Sequence, residues 1–233
     1  MSAQRFWFWP GWRQLGFALA LSTIVAAVFI FVYGGADWLT DQHSYRVRMH
    51  TPADLAIPLL PEAAVAYLSL NVLFWICPFV LRTRRELVAF AATLLVTTLA
   101  AGVFFVALPV ADAFDPAEVH SLRGWTAAYD VARVIALHHN YFPSLHVAFA
   151  TICVLAYGEH AAKFAKLLLG AWWLAIVAST LLIHEHYLVD VVSGLLLGWC
   201  VERWGYRSWC FVAAPPAPPT TQASASPPPS QSA

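Results

Sequence analysis

Two histidine-bearing segments lie about 40 residues apart, and each leads directly into an apolar run. Residues 139–146 read His-Asn-Tyr-Phe-Pro-Ser-Leu-His, and residues 184–190 read His-Glu-His-Tyr-Leu-Val-Asp. Because proline suits the first turn of a helix, Pro143 is predicted to begin one, with Ser144 and His146 in its opening turn. The unpaired N–H groups and the positive dipole end of such a turn attract phosphate. The first segment is therefore a candidate phosphate site at a membrane surface.

The second segment supplies the groups that phosphoryl transfer needs. His186 and Asp190 are spaced i, i+4, so on a helix they share one face and can hydrogen-bond. Asp190 can orient the His186 imidazole, which makes His186 a candidate nucleophile on phosphorus and leaves His146 as the general acid for the departing alcohol. Helix N–H groups, Ser144, Asn140 and arginines of the outer loops are the candidates for stabilising the transition-state charge.

Composition places these residues in a membrane protein. Of the 233 residues, 60% are hydrophobic and only 11% are charged, which is too few charges for a soluble domain. The net charge of zero gives no signal for a nucleic-acid partner. The four cysteines lack ligand-like spacing and indicate neither a disulfide framework nor a zinc site. We therefore expect membrane lipids and a lipid phosphate as partners, with no metal and no cofactor.

Apolar runs predict an all-α bundle of six transmembrane helices. The first segment, 1–14, is rich in aromatic residues beside arginine and suits the membrane interface. The membrane domain is predicted at 15–212, and the uncharged Pro/Ala/Ser-rich residues 213–233 are predicted to be a disordered tail. About 40 residues cover two bilayer crossings, so one hairpin returns His186 to the surface where His146 lies. The predicted spans are 15–33, 63–81, 87–110, 144–158, 167–183 and 187–201.

Basic residues predict the orientation of this bundle. With a cytoplasmic N-terminus, nine of the 13 Lys and Arg residues lie inside: Arg5, Arg13, Arg82, Arg84, Arg85, Lys163, Lys166, Arg203 and Arg207. Loops 34–59 and 111–142 then lie outside with Arg46, Arg48, Arg123 and Arg133. We expect a multi-pass protein of the plasma membrane, as in the bacterial inner membrane, with both histidine segments on the non-cytoplasmic face.

The two segments carry a family resemblance. The Phe-Pro-Ser-Leu-His of 142–146 and the His-Tyr-x-x-Asp-Val-Val-Ser-Gly of 186–194 resemble the second and third motifs of the type-2 phosphatidic acid phosphatase superfamily. Their wording is most similar to the branch that contains inositolphosphorylceramide synthase and sphingomyelin synthase, over roughly residues 55–202. The resemblance implies a metal-free six-helix bundle in which His186 becomes phosphorylated, Asp190 is its partner and His146 donates the proton.

The chain departs from the classical pattern of that superfamily at the phosphate-binding cations. Classical third motifs carry Ser-Arg ahead of the histidine, whereas these places hold Ser179 and Thr180. The first motif, with its Lys and Arg, has no clear match after Leu108-Pro109. Ser179 is carried over as a substrate-binding candidate, and Arg123 and Arg133 are the candidate cations.

Other functions fit the same residues less well. Zinc or copper could draw on His138, His139, His184, His186 and Asp190, but His-x-His on a loop constrains metal geometry poorly. A haem needs histidines facing each other from two helices, and these histidines cluster at one rim. A transporter would place polar residues near the bilayer midplane, and here they lie at one edge. Hydrolysis is expected as the baseline reaction because water needs no binding site, with transfer to an alcohol as the alternative.

The predicted topology can be tested with a fusion reporter. A reporter that is active only outside the cytoplasm, fused after Gly158, should be inactive, because the basic residues nearby favour the cytoplasmic face. The same reporter fused within loop 34–59 should be active. Activity after Gly158 would contradict the orientation.

Overall fold

The described part of the chain is almost entirely helical. The structure is a computed structural model, and it describes residues 6–114, 124–137 and 139–211. The predicted disordered tail, 213–233, therefore lies outside the described residues. In order, the α-helices are α1 (Trp12–Phe29), α2 (Gly35–Asp41), α3 (Pro52–Leu55), α4 (Ala64–Leu68), α5 (Leu70–Val80), α6 (Arg84–Ala107), α7 (Thr126–Ala136), α8 (Leu145–Gly158), α9 (Lys163–Leu182), α10 (Leu188–Val201) and α11 (Arg207–Phe211).

Short irregular helical turns join several of these elements. A π-helical turn, Ile30–Gly34, connects α1 to α2, and a second, Glu202–Tyr206, connects α10 to α11. A 3₁₀ turn, Pro61–Ala63, precedes α4. Extended backbone pairing within the described residues is limited to one parallel bridge between Val47 and Val110.

Four helical stretches of the described chain are long and apolar enough to cross a membrane: Trp12–Asp41, Pro61–Val80, Arg84–Ala107 and Lys163–Leu182. They coincide with the first, second, third and fifth predicted spans, so a multi-pass, all-helical membrane protein is confirmed. The fourth predicted span is α8, which is apolar but only 14 residues long. The sixth is α10, also 14 residues long, which continues helically through Tyr206 into α11. The count of six spans stays a prediction.

Several helix boundaries differ from the predicted ones for identifiable reasons. The first stretch continues through Gly34 and Gly35 to Asp41, because glycine weakens a helix by only about 1 kcal/mol. The third helix begins at Arg84 because Thr83 and Glu86 form a capping box, in which the Thr83 hydroxyl accepts from the Glu86 N–H. Loop 111–142 contains the amphipathic α7, whose periodic apolar positions are embedded among charged residues.

Helix α8 is the central element of the bundle. Ten of its 14 residues are buried, and it packs against α5, α6, α9 and α10. The tightest of these contacts is with α10, where Gly194 and Gly198 face the backbone of α8. A Cβ on residue 194 would lie 2.4 Å from the Ser144 carbonyl oxygen, and one on residue 198 would lie 2.6 Å from the Ala148 carbonyl oxygen. Small residues four apart let two membrane helices approach closely, and here they bring the two histidine segments together.

This close approach makes a specific prediction about stability. Replacing Gly194 with alanine should lower the free energy of unfolding by about 1–3 kcal/mol, because the new methyl group meets a backbone oxygen that cannot move independently. Gly170→Ala in α9 is the matched control, since a Cβ there meets nothing within 4 Å. Thermal unfolding in detergent measures both. Equal melting temperatures for the two variants would contradict the proposed helix contact.

Candidate active site

The starts of α8 and α10 are joined by a backbone hydrogen bond. The Ser144 N–H donates to the Asp190 carbonyl at 3.1 Å, and both residues are fully buried. The Ser144 hydroxyl accepts from the Val147 N–H at 3.3 Å, so Ser144 is the N-cap of α8. Pro143 therefore precedes the helix by two positions, and only His146 of the predicted pair lies in its opening turn. The reason is that a serine side chain satisfies a helix-terminal N–H better from the cap position.

His186 and Asp190 lie next to each other at the start of α10. His186 precedes the helix, which begins at Leu188, yet its Nδ1 lies 3.7 Å from Asp190 Oδ2. Asp190 Oδ2 accepts from the Tyr187 N–H at 2.8 Å, which fixes the carboxylate. Asp190 Oδ1 and His186 Nδ1 are buried without a hydrogen-bond partner among the described residues. A small movement of the imidazole would bring Nδ1 within hydrogen-bond distance of the Asp190 carboxylate, and would leave His186 Nε2 free to react.

His146 is held from the opposite side by Tyr67 of α4. The two rings stack with their centroids 3.6 Å apart, and His146 Nε2 lies 3.1 Å from the Tyr67 carbonyl oxygen. A carbonyl can only accept, so Nε2 carries a proton and Nδ1 is the nitrogen left for chemistry. His186 and His146 line the same cavity. The two imidazoles predicted to act on one phosphate therefore face a common space.

Both histidines lie at the polar end of a large apolar cavity. The cavity has a volume of about 930 Å³, and its polar end is formed by Asn140, His146 and His186 with Tyr33 and Tyr67. From there it extends between α1, α5 and α6 towards their opposite ends. Its lining at that end is hydrophobic and includes Trp12, Phe79 and Leu87.

The remaining predicted site residues occupy different positions. Asn140 is buried; its Nδ2 donates to the Tyr33 carbonyl at 2.7 Å, and its Oδ1 has no hydrogen-bond partner in the described chain. The Ser179 hydroxyl donates to the Ile176 carbonyl within α9 at 2.6 Å, so its hydrogen is already used. Arg133 of α7 lies beside the second segment, where it forms an ion pair with Glu185. Arg123, like His138, lies outside the described residues.

Glu185 is a residue whose role the sequence did not reveal, although it is flanked by two histidines. Its side chain is almost completely buried, and its Oε1 lies 3.3 Å from the Arg133 guanidinium. Burial raises the pKa of Glu185 to about 7, although Arg133 lowers it and Asp112 raises it further. The same guanidinium reaches Asp112 at 3.6 Å. Beside this group, the Tyr141 ring packs edge-on against His186, with centroids 5.9 Å apart.

Asp54 is a second residue that sequence reasoning missed, and it fixes the start of α10 from a distant loop. Its Oδ1 accepts from the Leu188 N–H at 2.7 Å, while its Oδ2 accepts from the N–H and hydroxyl of Thr51, each at 2.7 Å. Burial alone would raise the pKa of Asp54, but the hydrogen bonds from Leu188 and Thr51 hold it below its usual value. The sequence Thr-Pro-Ala-Asp at 51–54 is a capping-box pattern that could have identified the local turn, but not its contact with α10.

This arrangement can carry out nucleophilic and acid–base chemistry on a bound anion. Two imidazoles face one chamber, a buried carboxylate backs the first, and a carbonyl fixes the tautomer of the second. Among residues 6–114, 124–137 and 139–211, no group of three or more His, Cys, Asp or Glu side chains is placed to hold a metal ion.

Comparison with known proteins identifies one family. A family model described as the PAP2 superfamily matches residues 42–201, which include both histidine segments and helices α3 to α10. No curated protein and no solved structure matches the chain significantly.

The contact between Asp54 and Leu188 predicts that a remote loop stabilises the site. Asp54→Ala should reduce the free energy of unfolding by about 1–3 kcal/mol, because it leaves the N–H groups of Leu188 and Thr51 without the buried carboxylate that accepts from them. Glu62→Gln is the control, since Glu62 is an exposed carboxylate in a neighbouring turn. Chemical denaturation in detergent measures both. If Asp54→Ala unfolded at the same denaturant concentration as the control, the capping role would be refuted.

Proposed function

We propose that this chain, which belongs to the PAP2 superfamily, is a membrane-embedded lipid phosphate phosphatase that acts through a phosphohistidine at His186. Superfamily membership supports a phosphoryl-transfer enzyme in a membrane. The observation that carries the finer proposal is the position of His146 and His186 together at the polar end of one long apolar cavity. Such a cavity suits a substrate with a phosphate head and a hydrocarbon chain.

The proposed reaction has two steps. In the first, His146 enters as the imidazolium, with a proton on each ring nitrogen. His186 Nε2 attacks phosphorus, the ester P–O bond breaks, and the leaving alkoxide takes the proton from His146 Nδ1, which leaves His146 neutral with its Nε2 proton on the Tyr67 carbonyl. Asp190 stabilises the charge that develops on the His186 imidazole. In the second, His146 removes a proton from a water molecule, the water oxygen bonds to phosphorus, and the P–N bond breaks to release phosphate.

The cavity supports a lipid as the substrate. Its lining on the first helix runs from Trp12 to Tyr33, and 21 residue steps of helix cover about 32 Å. The hydrocarbon core of a bilayer is about 30 Å thick, so the cavity accommodates a chain as deep as the membrane itself. A water-soluble phosphate ester would leave most of this apolar surface without a partner.

The proposed membrane arrangement keeps six crossings, with the active site on the non-cytoplasmic side. Helix α8 covers only about 21 Å, which is less than the hydrocarbon thickness. Because neighbouring helices bury it, a short crossing costs little exposure of polar backbone to lipid. Its start, with His146, then lies slightly below the membrane surface, where a lipid headgroup can reach it.

Transfer of the phosphoryl group to an alcohol is the second candidate reaction. Thr180 in place of an arginine and the Phe-Pro-Ser-Leu-His wording favour the inositolphosphorylceramide synthase and sphingomyelin synthase branch. To separate the two reactions, purified protein is incubated with labelled phosphatidate, polyprenyl diphosphate or phosphoinositide, with and without alcohol acceptors. Label released as free phosphate supports hydrolysis. Label recovered chiefly in a new phospholipid supports transfer.

Substitutions at the three catalytic candidates should have distinguishable effects. His186→Ala and Asp190→Asn should each reduce turnover of a lipid phosphate by at least about 10²-fold, because His186 is the proposed nucleophile and Asp190 stabilises the charge on its imidazole. His146→Ala should lose comparable activity on an alkyl phosphate but recover part of it on an activated phenyl phosphate, whose leaving group needs no proton. The exposed His43→Ala is the control. Equal losses by His146→Ala on both substrates would assign His146 to binding.

A further inference from the structure

The guanidinium of Arg133 is held by two carboxylates close to both histidines. Glu185 lies 3.3 Å from one of its terminal nitrogens, and Asp112 lies 3.6 Å from the other. The Glu185 side chain is only 2% exposed, whereas those of Arg133 and Asp112 are about one-third exposed. Glu185 is therefore the partner whose charge depends most on Arg133, since a buried carboxylate loses its hydration.

Two tyrosines place this ion pair next to the proposed phosphate position. Tyr141 packs against His186, and Tyr67 stacks on His146. Tyr67 also packs in one buried cluster with Tyr129 and Ala132 of α7, the helix that carries Arg133. The pair thus lies beside the chamber that the two imidazoles share, and Glu185 is also the chain neighbour of His186. Arginine binds phosphate and carboxylate through the same fork of N–H donors, so the two anions compete for it.

We propose that Glu185 is a positioning residue that holds Arg133 while the site is free, and that it takes up a proton when a bound phosphate replaces it at the guanidinium. This inference rests on the proposed function, because it requires a phosphate at the histidines. The proton comes from solvent, and no covalent bond changes. Glu185 is suited to this exchange because, once separated from Arg133, its buried carboxylate forms no other ion pair with the described residues and is stable only when neutral.

The groups that face Glu185 support this behaviour. The carboxylate of Asp112 lies on the same guanidinium and disfavours a second negative charge. Burial already brings the pKa of Glu185 to about 7 in the free protein, so the group is partly protonated near neutral pH. Among residues 6–114, 124–137 and 139–211, the titratable and charged groups around it are Tyr33, Tyr67, Asp112, Tyr129, Arg133, Tyr141 and His186.

The exchange predicts how phosphate affinity depends on pH. Below about pH 7 Glu185 is already protonated, so binding takes up no additional proton at this group. Above that pH, each further unit should weaken binding about tenfold, because one proton must be bound together with the phosphate. Glu185→Gln removes this cost. The variant should bind about tenfold more tightly than the wild type near pH 8 and equally near pH 6.

The experiment is calorimetric titration of the full-length protein in detergent with hexadecylphosphonate, a non-hydrolysable alkyl phosphonate. Repeating it in buffers of different ionisation enthalpy gives the number of protons taken up. Ionisation of the phosphonate and of the two imidazoles is common to wild type and Glu185→Gln, so their difference isolates Glu185. We expect the wild type to take up about one more proton than the variant near pH 8. Equal proton uptake, or weaker binding by Glu185→Gln, would overturn the proposal.

Two further variants make the test independent of folding. In an Arg133→Gln background, Glu185→Gln should no longer change affinity, because the guanidinium that it releases is absent. Glu202→Gln, which changes a buried carboxylate at the far end of α10, should keep the wild-type pH profile. Unchanged benefit of Glu185→Gln without Arg133 would also overturn the proposal. Hydrolysis of lipid phosphate is assayed in parallel. If the wild type hydrolyses the lipid but takes up no more protons than Glu185→Gln, the role of Glu185 is rejected and the proposed function stands. If the wild type neither hydrolyses the lipid nor binds the phosphonate, the proposed function is rejected as well.

Discussion

The approach of α10 to α8 is the contact on which the rest of the site depends. Two glycines one helical turn apart, Gly194 and Gly198, let the backbone carbonyls of α8 come very close to α10. A methyl group at either position would clash with these carbonyls. In a membrane there is little hydrophobic force between apolar helices, so such close packing and the hydrogen bonds it allows must hold them together. The bond from the Ser144 N–H to the Asp190 carbonyl is one of these, and it joins the beginnings of the two helices.

That junction explains why the chemistry lies at helix starts. A helix start leaves N–H groups unpaired, and inside a bundle each must find an acceptor. Ser144 caps α8, while Asp190 and Asp54 together accept the amides that open α10. The carboxylate that backs His186 is thus also a structural acceptor, which fixes its position. His146 and His186 gain their orientation from this capped framework and from the tyrosines that pack on them.

The polar and apolar parts of the chamber match the headgroup and the hydrocarbon chain of the proposed lipid phosphate substrate. The two imidazoles face the cavity at one end, and Arg133 forms its ion pairs with Glu185 and Asp112 next to the His186 segment. The remainder is lined mostly by apolar side chains of the first helix, α5 and α6. Since an unpaired buried carboxylate is costly, the ionised Glu185 side chain needs the Arg133 guanidinium while no substrate is bound. In our proposal, this requirement connects the stability of the free protein with its affinity for phosphate.

The helical membrane character and the superfamily were determined by the sequence alone, because both depend on local patterns. Long apolar runs predict membrane helices without any knowledge of how the helices pack, and the two histidine motifs are each contiguous in the sequence. The long apolar helices of the structure and the match to the PAP2 superfamily confirm these two predictions. The neighbourhood of His186 and Asp190 also followed from their spacing, although His186 precedes the helix. The predicted roles of these residues stay predictions. Only the tertiary structure decided which groups from distant segments complete the site: the Tyr67 carbonyl on His146, the Asp54 carboxylate at α10, and the pairing of Arg133 with Glu185. Those contacts join residues roughly 50 to 130 positions apart. No local periodicity encodes them, because they depend on how closely glycine-containing helices pack and on which buried donor each loop must satisfy.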